Sequence, residues 1–469
     1  MKIKLKLHTK GYLLVLTLVF GAIFLVMLTA FLGYVITQHR LQIVNLNKQQ
    51  SLNIAEAGLD YYKWFLAHNP GNTKNGTTVA GPYIGVYTDP EGGAIGEYSL
   101  AISSSTACGS VYAININSTA HTYAEPNVSR QVYARYARPT VAEYAYIINS
   151  SVWAGADRVI IGPYHSNGGV RMDGANNSTV SSGQETWSCT PSFGCAPTST
   201  KEGVFTTTSN ATEELFSYPS TPINFTGLTV DLTAMQSKAQ TAGGRYFAAS
   251  GKAGYHVTFK SNGTFDVYKV NAKENEPNGV AWGYYMNILK GESFVGNYTI
   301  PKQCSVIFVE DQIWLDGVVN GKVTIAAADT DTPGKDPSII LNDNITYATA
   351  TSGLLAIGEL DVLIGLKVPN NMILNGIFAA QLGHFGRNNY AYSNFPSSWD
   401  SYNKRNSLTI NGTIVSNGRE GTKWTSNGTY ISGFNVRTNT YDRDLVSDPP
   451  PLTPAVSTTY EFIEWREIN

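Results

Sequence analysis

The stretch GYLLVLTLVFGAIFLVMLTAFLGYVI, from Gly11 to Ile36, decides the fold of the N-terminal part of this chain. It contains no charged residue, and at about 1.5 Å per residue it would form a helix of roughly 39 Å. This length exceeds the hydrocarbon thickness of a bilayer, about 30 Å. A secretory signal usually has an apolar core of about 7–15 residues followed by a small-residue cleavage site, and neither feature is seen. We therefore expect residues 12–36 to form a transmembrane helix.

The residues that flank this helix predict its orientation. Lys2, Lys4, Lys6 and Lys10 precede it without an acidic residue, and basic residues are scarce just after it. Basic flanks stay on the cytoplasmic side of a membrane. The sequence therefore predicts a single-pass protein of the cytoplasmic membrane with its N-terminus inside. The rest of the chain would be extracytoplasmic or lie in a surface filament.

The composition limits the partners of the remaining chain. The formal net charge is -2 and only 14% of the residues are charged, so no basic surface indicates nucleic-acid binding. The 44 glycines and 28 tyrosines are typical of a β-rich chain with many turns. Nucleic acid is therefore excluded as an expected partner.

Helical character continues beyond the membrane segment. Between Thr37 and Ala67 there is no proline, and Asn69-Pro70-Gly71 then ends the pattern. Apolar residues recur at steps of three and four, which marks one face of a helix: Leu41, Val44, Leu52, Ala55, Leu59, Tyr62 and Leu66. We predict one helix over residues 12–68, apolar all round in its first half and amphipathic in its second.

Two regions of short strands follow. Residues 69–96 are rich in Gly, Pro, Thr and Asn and are predicted as a loop. Residues 97–141 are predicted as a small antiparallel sheet, packed on the amphipathic half of the helix. Its expected strands are Tyr98–Ser103, Val111–Asn117 and Arg130–Tyr136.

Residues 142–469 are predicted as a mainly β ectodomain, which makes the fold class α+β. Short β-rich runs recur at loose intervals and are punctuated by Asn-Gly pairs such as Asn375-Gly376 and Asn411-Gly412. Irregular coils of this size favour a right-handed β-solenoid, in which each coil buries its apolar side against the next. A Greek-key sandwich gives similar strand spacing and remains the alternative. Residues from about 182 to 302 interrupt the rhythm and are predicted as an insertion.

The first part of the chain resembles the type IV pilin-like proteins, particularly minor pilins of the PilX type. The likeness lies in the lysine-rich leader ending at Lys10-Gly11, the uncharged helix from Tyr12, and Ala55-Glu56-Ala57-Gly58-Leu59. It implies a leader over residues 1–11, cleavage by a prepilin peptidase between Gly11 and Tyr12, and packing of the helix in a filament core. Major pilins carry Glu at the fifth mature position, whereas this chain has Leu16.

The remainder is similar to β-rich ectodomains that are fused to such helices in bacterial surface proteins. Gly162–Gly169, Trp314–Ile325 and Tyr441-Asp442 with Pro449-Pro450-Pro451 carry this second resemblance. It implies no activity, because it rests on turn and strand patterns alone.

Motifs for catalysis or metal binding are weak. The sequence has no Gly-rich phosphate loop after a strand, no His-Glu-x-x-His and no Gly-x-Ser-x-Gly. The run from Asp329 to Asp336 looks like a calcium loop, but Pro333 and Ile340 occupy ligand positions, so a solvated turn is expected. We expect no enzyme activity, no cofactor and no metal.

Three acidic residues and two histidines are the remaining candidates for chemistry. Glu310, Asp311 and Asp316 are close in sequence, and we expect them on a solvent-facing edge. His165 and His384 lie beside glycines and are expected to be hydrogen-bonding turn residues.

Four cysteines allow three disulfide connectivities. Cys189 and Cys195 enclose a short Pro- and Gly-containing loop, which predicts a disulfide between them in an oxidising exterior. Cys108 and Cys304 would be left to pair with each other, and free buried thiols are the alternative.

These observations predict a pilin-like cell-surface protein with a structural or display role, as a minor pilus subunit or an adhesin. Its expected partners are the membrane, other pilin-like subunits through the N-terminal helix, and a carbohydrate or other surface ligand that the sequence does not identify. The alternative from another class is a membrane-tethered, carbohydrate-active β-solenoid enzyme. An anchored envelope protein that never enters a filament is the third reading.

Overall fold

A computed structural model of the protein describes residues 10–69, 72–228, 231–274, 287–332, 334–391 and 395–468. Most of the predicted leader, residues 1–9, lies outside the described residues. The chain divides into two compact units. The first comprises residues 1–103, 114–136 and 464–469, and the second comprises residues 104–113 and 137–463.

The first unit is built on one long helix, α1 (Lys10–His68), of 59 residues. At about 1.5 Å per residue it is roughly 88 Å long. Every residue from 12 to 43 is exposed, whereas one face of the later turns is buried. The buried face has members at steps of three and four: Asn47, Ser51, Ile54, Ala55, Gly58, Leu59, Tyr62, Phe65 and Leu66. The predicted change from an apolar to an amphipathic helix is therefore present.

A five-stranded sheet accompanies this helix in the order β1-β2-β3-β4-β31. Its strands are β1 (Tyr83–Thr88), β2 (Ala94–Ala107), β3 (Ser110–Thr122), β4 (Ser129–Ala137) and β31 (Glu461–Ile468). The three strands predicted from sequence lie within β2, β3 and β4. β1 lies in the segment predicted as a loop, where residues alternate between half-buried and exposed. Its antiparallel pairing with β2 gives the segment the backbone partners that the loop prediction did not foresee.

Gly58 explains why the helix and sheet of the first unit approach so closely. A Cβ atom at this position would lie 2.8 Å from Ser118 Oγ and 2.9 Å from the Tyr98 ring. Ser51 Oγ also donates a hydrogen bond to the Val128 carbonyl at 3.0 Å. The Ala-Glu-Ala-Gly segment therefore ends in a residue whose missing side chain makes room for the sheet.

The second unit is mainly β. Its strands are β5 (Tyr146–Ile148), β6 (Val152–Ala154), β7 (Arg158–Ile161), β8 (Tyr164–Ser166), β9 (Val170–Met172), β10 (Ala175–Asn176), β11 (Val180–Ser182), β12 (Thr186–Cys189), β13 (Ser199–Glu202), β14 (Val204–Phe205), β15 (Phe216–Ser217), β16 (Arg245–Phe247), β17 (Gly254–Lys260), β18 (Thr264–Lys273), β19 (Leu289–Thr299), β20 (Val306–Val309), β21 (Ile313–Val319), β22 (Lys322–Ala327), β23 (Ile339–Tyr347), β24 (Gly353–Gly358), β25 (Val362–Ile364), β26 (Asn371–Ala380), β27 (Phe385–Arg387), β28 (Lys404–Ser416), β29 (Lys423–Ser426) and β30 (Thr429–Thr440). Its short α-helices are α2 (Phe225–Leu228), α3 (Leu232–Thr241), α4 (Asp400–Asn403) and α5 (Arg443–Ser447).

Most of these strands pair in parallel, in three long ladders and a short one, β6-β9-β14. The first ladder runs β16-β20-β22-β24-β26-β28-β5-β8-β11-β15. The second runs β17-β21-β23-β25-β27, and the third runs β23-β26-β28-β30-β7-β10. The inward side chains form one large apolar cluster that includes Val257, Leu315, Leu341 and Phe378. Full burial of such a side chain stabilises the fold by about 1.5–3 kcal/mol.

The predicted insertion, about 182–302, does not interrupt these ladders. β15, β16 and β17 fall inside that range and pair in parallel with β11, β20 and β21. What differs locally is that β17, β18 and β19 also form antiparallel pairs. The break in rhythm seen in the sequence reflects these hairpins and α3.

Two Asn-Gly pairs that looked like turns lie inside long strands. Gly376 and Gly412 are neighbours in the β26–β28 register, with φ of 149° and 142°. Before Gly376, β26 belongs to the third ladder, and after it β26 pairs with β24 in the first ladder. These glycines therefore bend the strands from one ladder to the next.

Candidate functional site

The junction predicted for processing lies at the start of α1. Gly11 and Tyr12 follow Lys10, the first helical residue, and the Tyr12 side chain is 75% exposed. Leu16, which stands where major pilins carry Glu, is 41% exposed. The described residues contain one helix that is long and apolar enough to cross a membrane, and it is α1.

Threonine side chains in and just after the apolar half of α1 are satisfied within the helix. Thr17 Oγ1 donates to the Leu13 carbonyl at 3.0 Å, and Thr29 Oγ1 donates to the Val26 carbonyl at 2.9 Å. Thr37 Oγ1 donates in the same way to the Gly33 carbonyl at 2.8 Å. Since a hydroxyl in hydrocarbon finds no water, these bonds make the segment compatible with lipid.

Both pairs of cysteines are joined. Cys189 and Cys195 form a disulfide with Cα atoms 5.6 Å apart. Cys108 and Cys304 form another with Cα atoms 4.4 Å apart and a sequence separation of 196. The Cys189–Cys195 loop is held further by Arg419, whose guanidinium lies 4.3 Å from the Phe193 ring centroid and donates to the Ser192 carbonyl.

Glu310, Asp311 and Asp316, the carboxylates that a glycoside-hydrolysing enzyme could use, each contact another side chain of the fold. Asp311 accepts hydrogen bonds from the Ser250 amide at 2.9 Å and from the Ser250 hydroxyl at 2.6 Å. Glu310 accepts from the Gln236 amide, and Asp316 contacts His256 at 2.9 Å. All three side chains are largely buried. The solvent-facing edge expected from sequence is therefore not what these residues form, because each reaches a partner far along the chain.

In the segment that resembled a calcium loop, a lysine side chain pairs with the first aspartate. Asp329 lies 2.9 Å from Lys335 Nζ and accepts hydrogen bonds from the Asp331 and Thr332 amides. Its carboxylate is thus engaged by the turn itself. Across the described residues, no group of three or more His, Cys, Asp or Glu side chains is arranged to hold a metal ion.

His165 lies in β8 rather than in the expected turn, and both His165 and His384 contact polar side chains that are distant in sequence. His165 contacts Ser181 Oγ and Asn167 Oδ1, each at 2.9 Å. Burial lowers the pKa of His165, so its imidazole is neutral at physiological pH. His384 Nδ1 lies 2.9 Å from Asp361 Oδ1.

His256 has a more unusual environment, which the sequence gave no reason to single out. Its Nδ1 lies 2.9 Å from Glu292 Oε2 on β19, and its Nε2 lies 2.9 Å from Asp316 Oδ2 on β21. Burial lowers the pKa of His256, but the hydrogen bonds and charges of both carboxylates outweigh it and raise the pKa above its usual value. An imidazole that is held at both nitrogens in this way fastens strands together and has no free nitrogen for proton transfer.

A groove of about 370 Å³ lies between α3 and residues 452–458. Arg138, Asp231, Met235 and Lys238 contribute to its wall. Asp231 is the one carboxylate among the residues that line it, and this side chain caps α3 by accepting from the Ala234 amide at 2.9 Å. Glycoside hydrolysis usually needs two carboxyl groups across the scissile bond, and this groove does not supply them.

The chain is thus a long apolar N-terminal helix followed by a mainly β part. No family model matches this sequence, and no curated relative does either. Among solved structures, the chain is similar to the competence-associated pilin ComZ from Thermus thermophilus. The identity is 12%, the TM-score is 0.29, and the likeness covers 90% of this chain and 98% of that chain. At this TM-score the likeness adds no argument to the geometry.

Proposed function

We propose that this protein is a pilin-like structural protein of the cell surface, a minor pilus subunit of the PilX type. The observation that carries the proposal is the division of α1. Residues 12–43 are exposed and mostly apolar, whereas the face from Asn47 to Leu66 is buried. An apolar surface of this extent needs a cover. Lipid provides it before assembly, and the apolar helices of sister subunits provide it in a filament.

The leader and Leu16, the fifth residue after the proposed cleavage site, set the role within the filament. Lysines before Gly11 hold the N-terminus on the cytoplasmic side, and cleavage after Gly11 makes Tyr12 the mature N-terminus. Leu16 offers no carboxylate to a neighbour's N-terminal amine. A charged amine without a partner in apolar surroundings is costly. The protein therefore enters filaments sparsely or at a tip.

The second unit is the displayed part. We infer that its three parallel ladders are the faces of a right-handed β-solenoid, with Gly376 and Gly412 at stacked corners. Support comes from the in-register pairing of β26 with β28 and from the continuous inward apolar cluster. We propose a display or adhesive role without catalysis, since Glu310, Asp311 and Asp316 are each held by a structural partner.

Mass spectrometry of purified surface filaments tests the proposal. Filaments sheared from cells that express the protein should contain it as a minor component. Cells expressing Gly11→Val provide the control, because a β-branched residue before the cleavage site should block processing and keep the chain in the membrane. Recovery of the wild-type protein only from the membrane fraction, with no trace in filaments, would make it an anchored envelope protein.

A further inference from the structure

One outer face of the second unit is formed mainly by uncharged residues. β26, β28, β30, β7 and β10 are consecutive neighbours in the third ladder. Along these strands Met372, Leu408 and Ile160 are buried, so the residues between the buried positions point outward. We call this outward surface the third-ladder face. Its members form three rows that cross the strands. The first row is Asn371, Ser407 and Val436, and the second is Ile373, Thr409, Thr438, Val159 and Ala175. The third row is Asn375, Asn411, Thr440 and Ile161.

The face is open to solvent. Ile373 is 43% exposed, Val159 is 42% exposed and Val436 is 47% exposed, and Thr409 is also exposed. Since neighbouring strands lie about 4.8 Å apart and residues advance about 3.3 Å, the face measures roughly 19 Å by 13 Å. It is therefore large enough to cover several units of a polymer.

The chemistry of the face is restricted to amides, hydroxyls and aliphatic groups. Its members include no Lys, Arg, Asp or Glu, whereas 14% of the residues of the whole chain are charged. Asp157, which precedes Arg158 in β7, borders the face and is paired with Arg437 and Lys423. The face also contains no Trp, Tyr, Phe, Met or Arg, the residues enriched in protein interfaces. Without cations it offers nothing to phosphates of nucleic acid or to anionic lipid.

We propose that the third-ladder face binds an uncharged polysaccharide. Amides and hydroxyls both donate and accept hydrogen bonds, as sugar hydroxyls do. The aliphatic side chains Ile373, Val159 and Val436 lie among them and contact the C–H faces of the sugar rings. The regular strand spacing repeats these contacts along a polymer, so weak contacts add up. The inference rests on the proposed display role. It adds the class of ligand that the displayed unit binds.

Retention of the purified full-length protein in detergent on neutral polysaccharides tests this inference. The probes are microcrystalline cellulose, chitin beads and immobilised dextran, with heparin and alginate as charged comparisons. Wild-type protein should be retained by at least one neutral probe and by neither charged one. The variant Thr409→Lys/Thr438→Lys introduces charges at neighbouring positions in register. Because binding would remove water from these two charges, the variant should lower the retained fraction about tenfold.

A matched control carries the same change elsewhere. Thr425 and Thr429 are exposed on the β29–β30 hairpin, outside the third-ladder face, so Thr425→Lys/Thr429→Lys should bind as wild type does. Circular dichroism and thermal unfolding verify that both variants fold. No retention on any neutral probe, or equal retention of both double variants, overturns the inference.

Association of two copies of the protein through the third-ladder face is measured separately. A concentration-dependent dimer seen by analytical ultracentrifugation, lost in Thr409→Lys/Thr438→Lys and unaffected by polysaccharide, assigns the face to a second copy and also overturns it. All these measurements use purified protein. A chain that proves absent from filaments therefore defeats the proposed function without changing the binding result.

Discussion

Arg158 and Glu420 form an ion pair inside the second unit, with Arg158 Nη1 2.7 Å from Glu420 Oε2 and both side chains almost completely buried. The two residues are 262 positions apart in sequence. Arg158 Nη2 also donates to Tyr146 Oη, and the guanidinium lies 5.0 Å from the Tyr146 ring centroid. β7, which carries Arg158, is thereby joined to the segment after β28.

Removing one partner of this pair should destabilise the second unit strongly. Glu420→Ala leaves the Arg158 guanidinium buried without its counter-charge, which typically costs about 3–5 kcal/mol. The double variant Arg158→Met/Glu420→Leu replaces both charges by apolar groups and should be less destabilising than Glu420→Ala alone. Urea unfolding followed by circular dichroism measures both. Equal losses for the single and the double variant would contradict an ion pair as the source.

The same pair predicts instability in acid. Burial raises the pKa of Glu420, but the charge and hydrogen bond of Arg158 outweigh it and lower the pKa below its usual value. A carboxyl whose folded-state pKa is lowered stabilises the fold above its unfolded pKa, near 4.3, and this contribution is lost as the pH falls through the folded pKa. The urea midpoint should therefore drop below about pH 4, and it should drop less in Arg158→Met/Glu420→Leu.

His256 predicts a dependence on pH in the opposite direction. Because its pKa is raised by Asp316 and Glu292, its contribution is fully present below the unfolded pKa of about 6.5 and is lost as the pH rises through the folded pKa. Amide hydrogen exchange in β17 and β19 should therefore accelerate, beyond the intrinsic effect of pH, once the imidazolium deprotonates. In His256→Gln this additional change should disappear. A wild-type profile that follows intrinsic exchange alone would show that the pair does not fasten these strands.

Gly412 should be irreplaceable for a geometric reason. A Cβ atom there would lie 1.9 Å from the Gly376 carbonyl oxygen, and the φ of 142° is itself unfavourable for other residues. Gly412→Ala should lose more than the roughly 1–3 kcal/mol of backbone strain alone. Gly321→Ala is the control, since Gly321 also has positive φ but no atom lies within 4 Å of its added Cβ. If thermal unfolding shows the same loss of stability for both variants, the close contact with Gly376 is not the cause of the loss.

Local patterns explain which parts of this fold are visible in sequence. The steps of three and four from Leu41 to Leu66 predict α1, because a helix repeats within a few residues. Asn411-Gly412 signals a bend, but whether it ends a strand or redirects it depends on the neighbouring Gly376. The partners of Asp316 and Glu420 lie 60 and 262 residues away in sequence. The residues near either carboxylate therefore give no pattern that predicts its partner. The partners that occupy these carboxylates could therefore be found only from the structure.

Two tyrosines predict how α1 sits in the membrane. The helix between Tyr12 and Tyr34 is roughly 33 Å long, close to the hydrocarbon thickness, and Tyr favours both membrane interfaces. Leu25→Cys should therefore resist a membrane-impermeant thiol reagent in whole cells, whereas His39→Cys should react. The described cysteines are all in disulfides, so the background should be low. Reaction of Leu25→Cys in intact cells would place the helix outside lipid.

The last prediction concerns the mature N-terminus. If a prepilin peptidase acts on this chain, N-terminal sequencing of the membrane-extracted protein should begin at Tyr12. The lysines are expected to keep the junction on the cytoplasmic side, where that enzyme works, and Gly11 presents no side chain beside its carbonyl. Cleavage leaves a charged amine at Tyr12 that Leu16 cannot pair with, so Leu16→Glu should raise the amount of protein recovered in filaments. Leu18→Glu places the same charge two residues further along the exposed part of the helix, and it should not increase recovery. An intact Met1 in the wild-type protein would instead identify a signal-anchored protein, and Leu16→Glu would then leave its location unchanged.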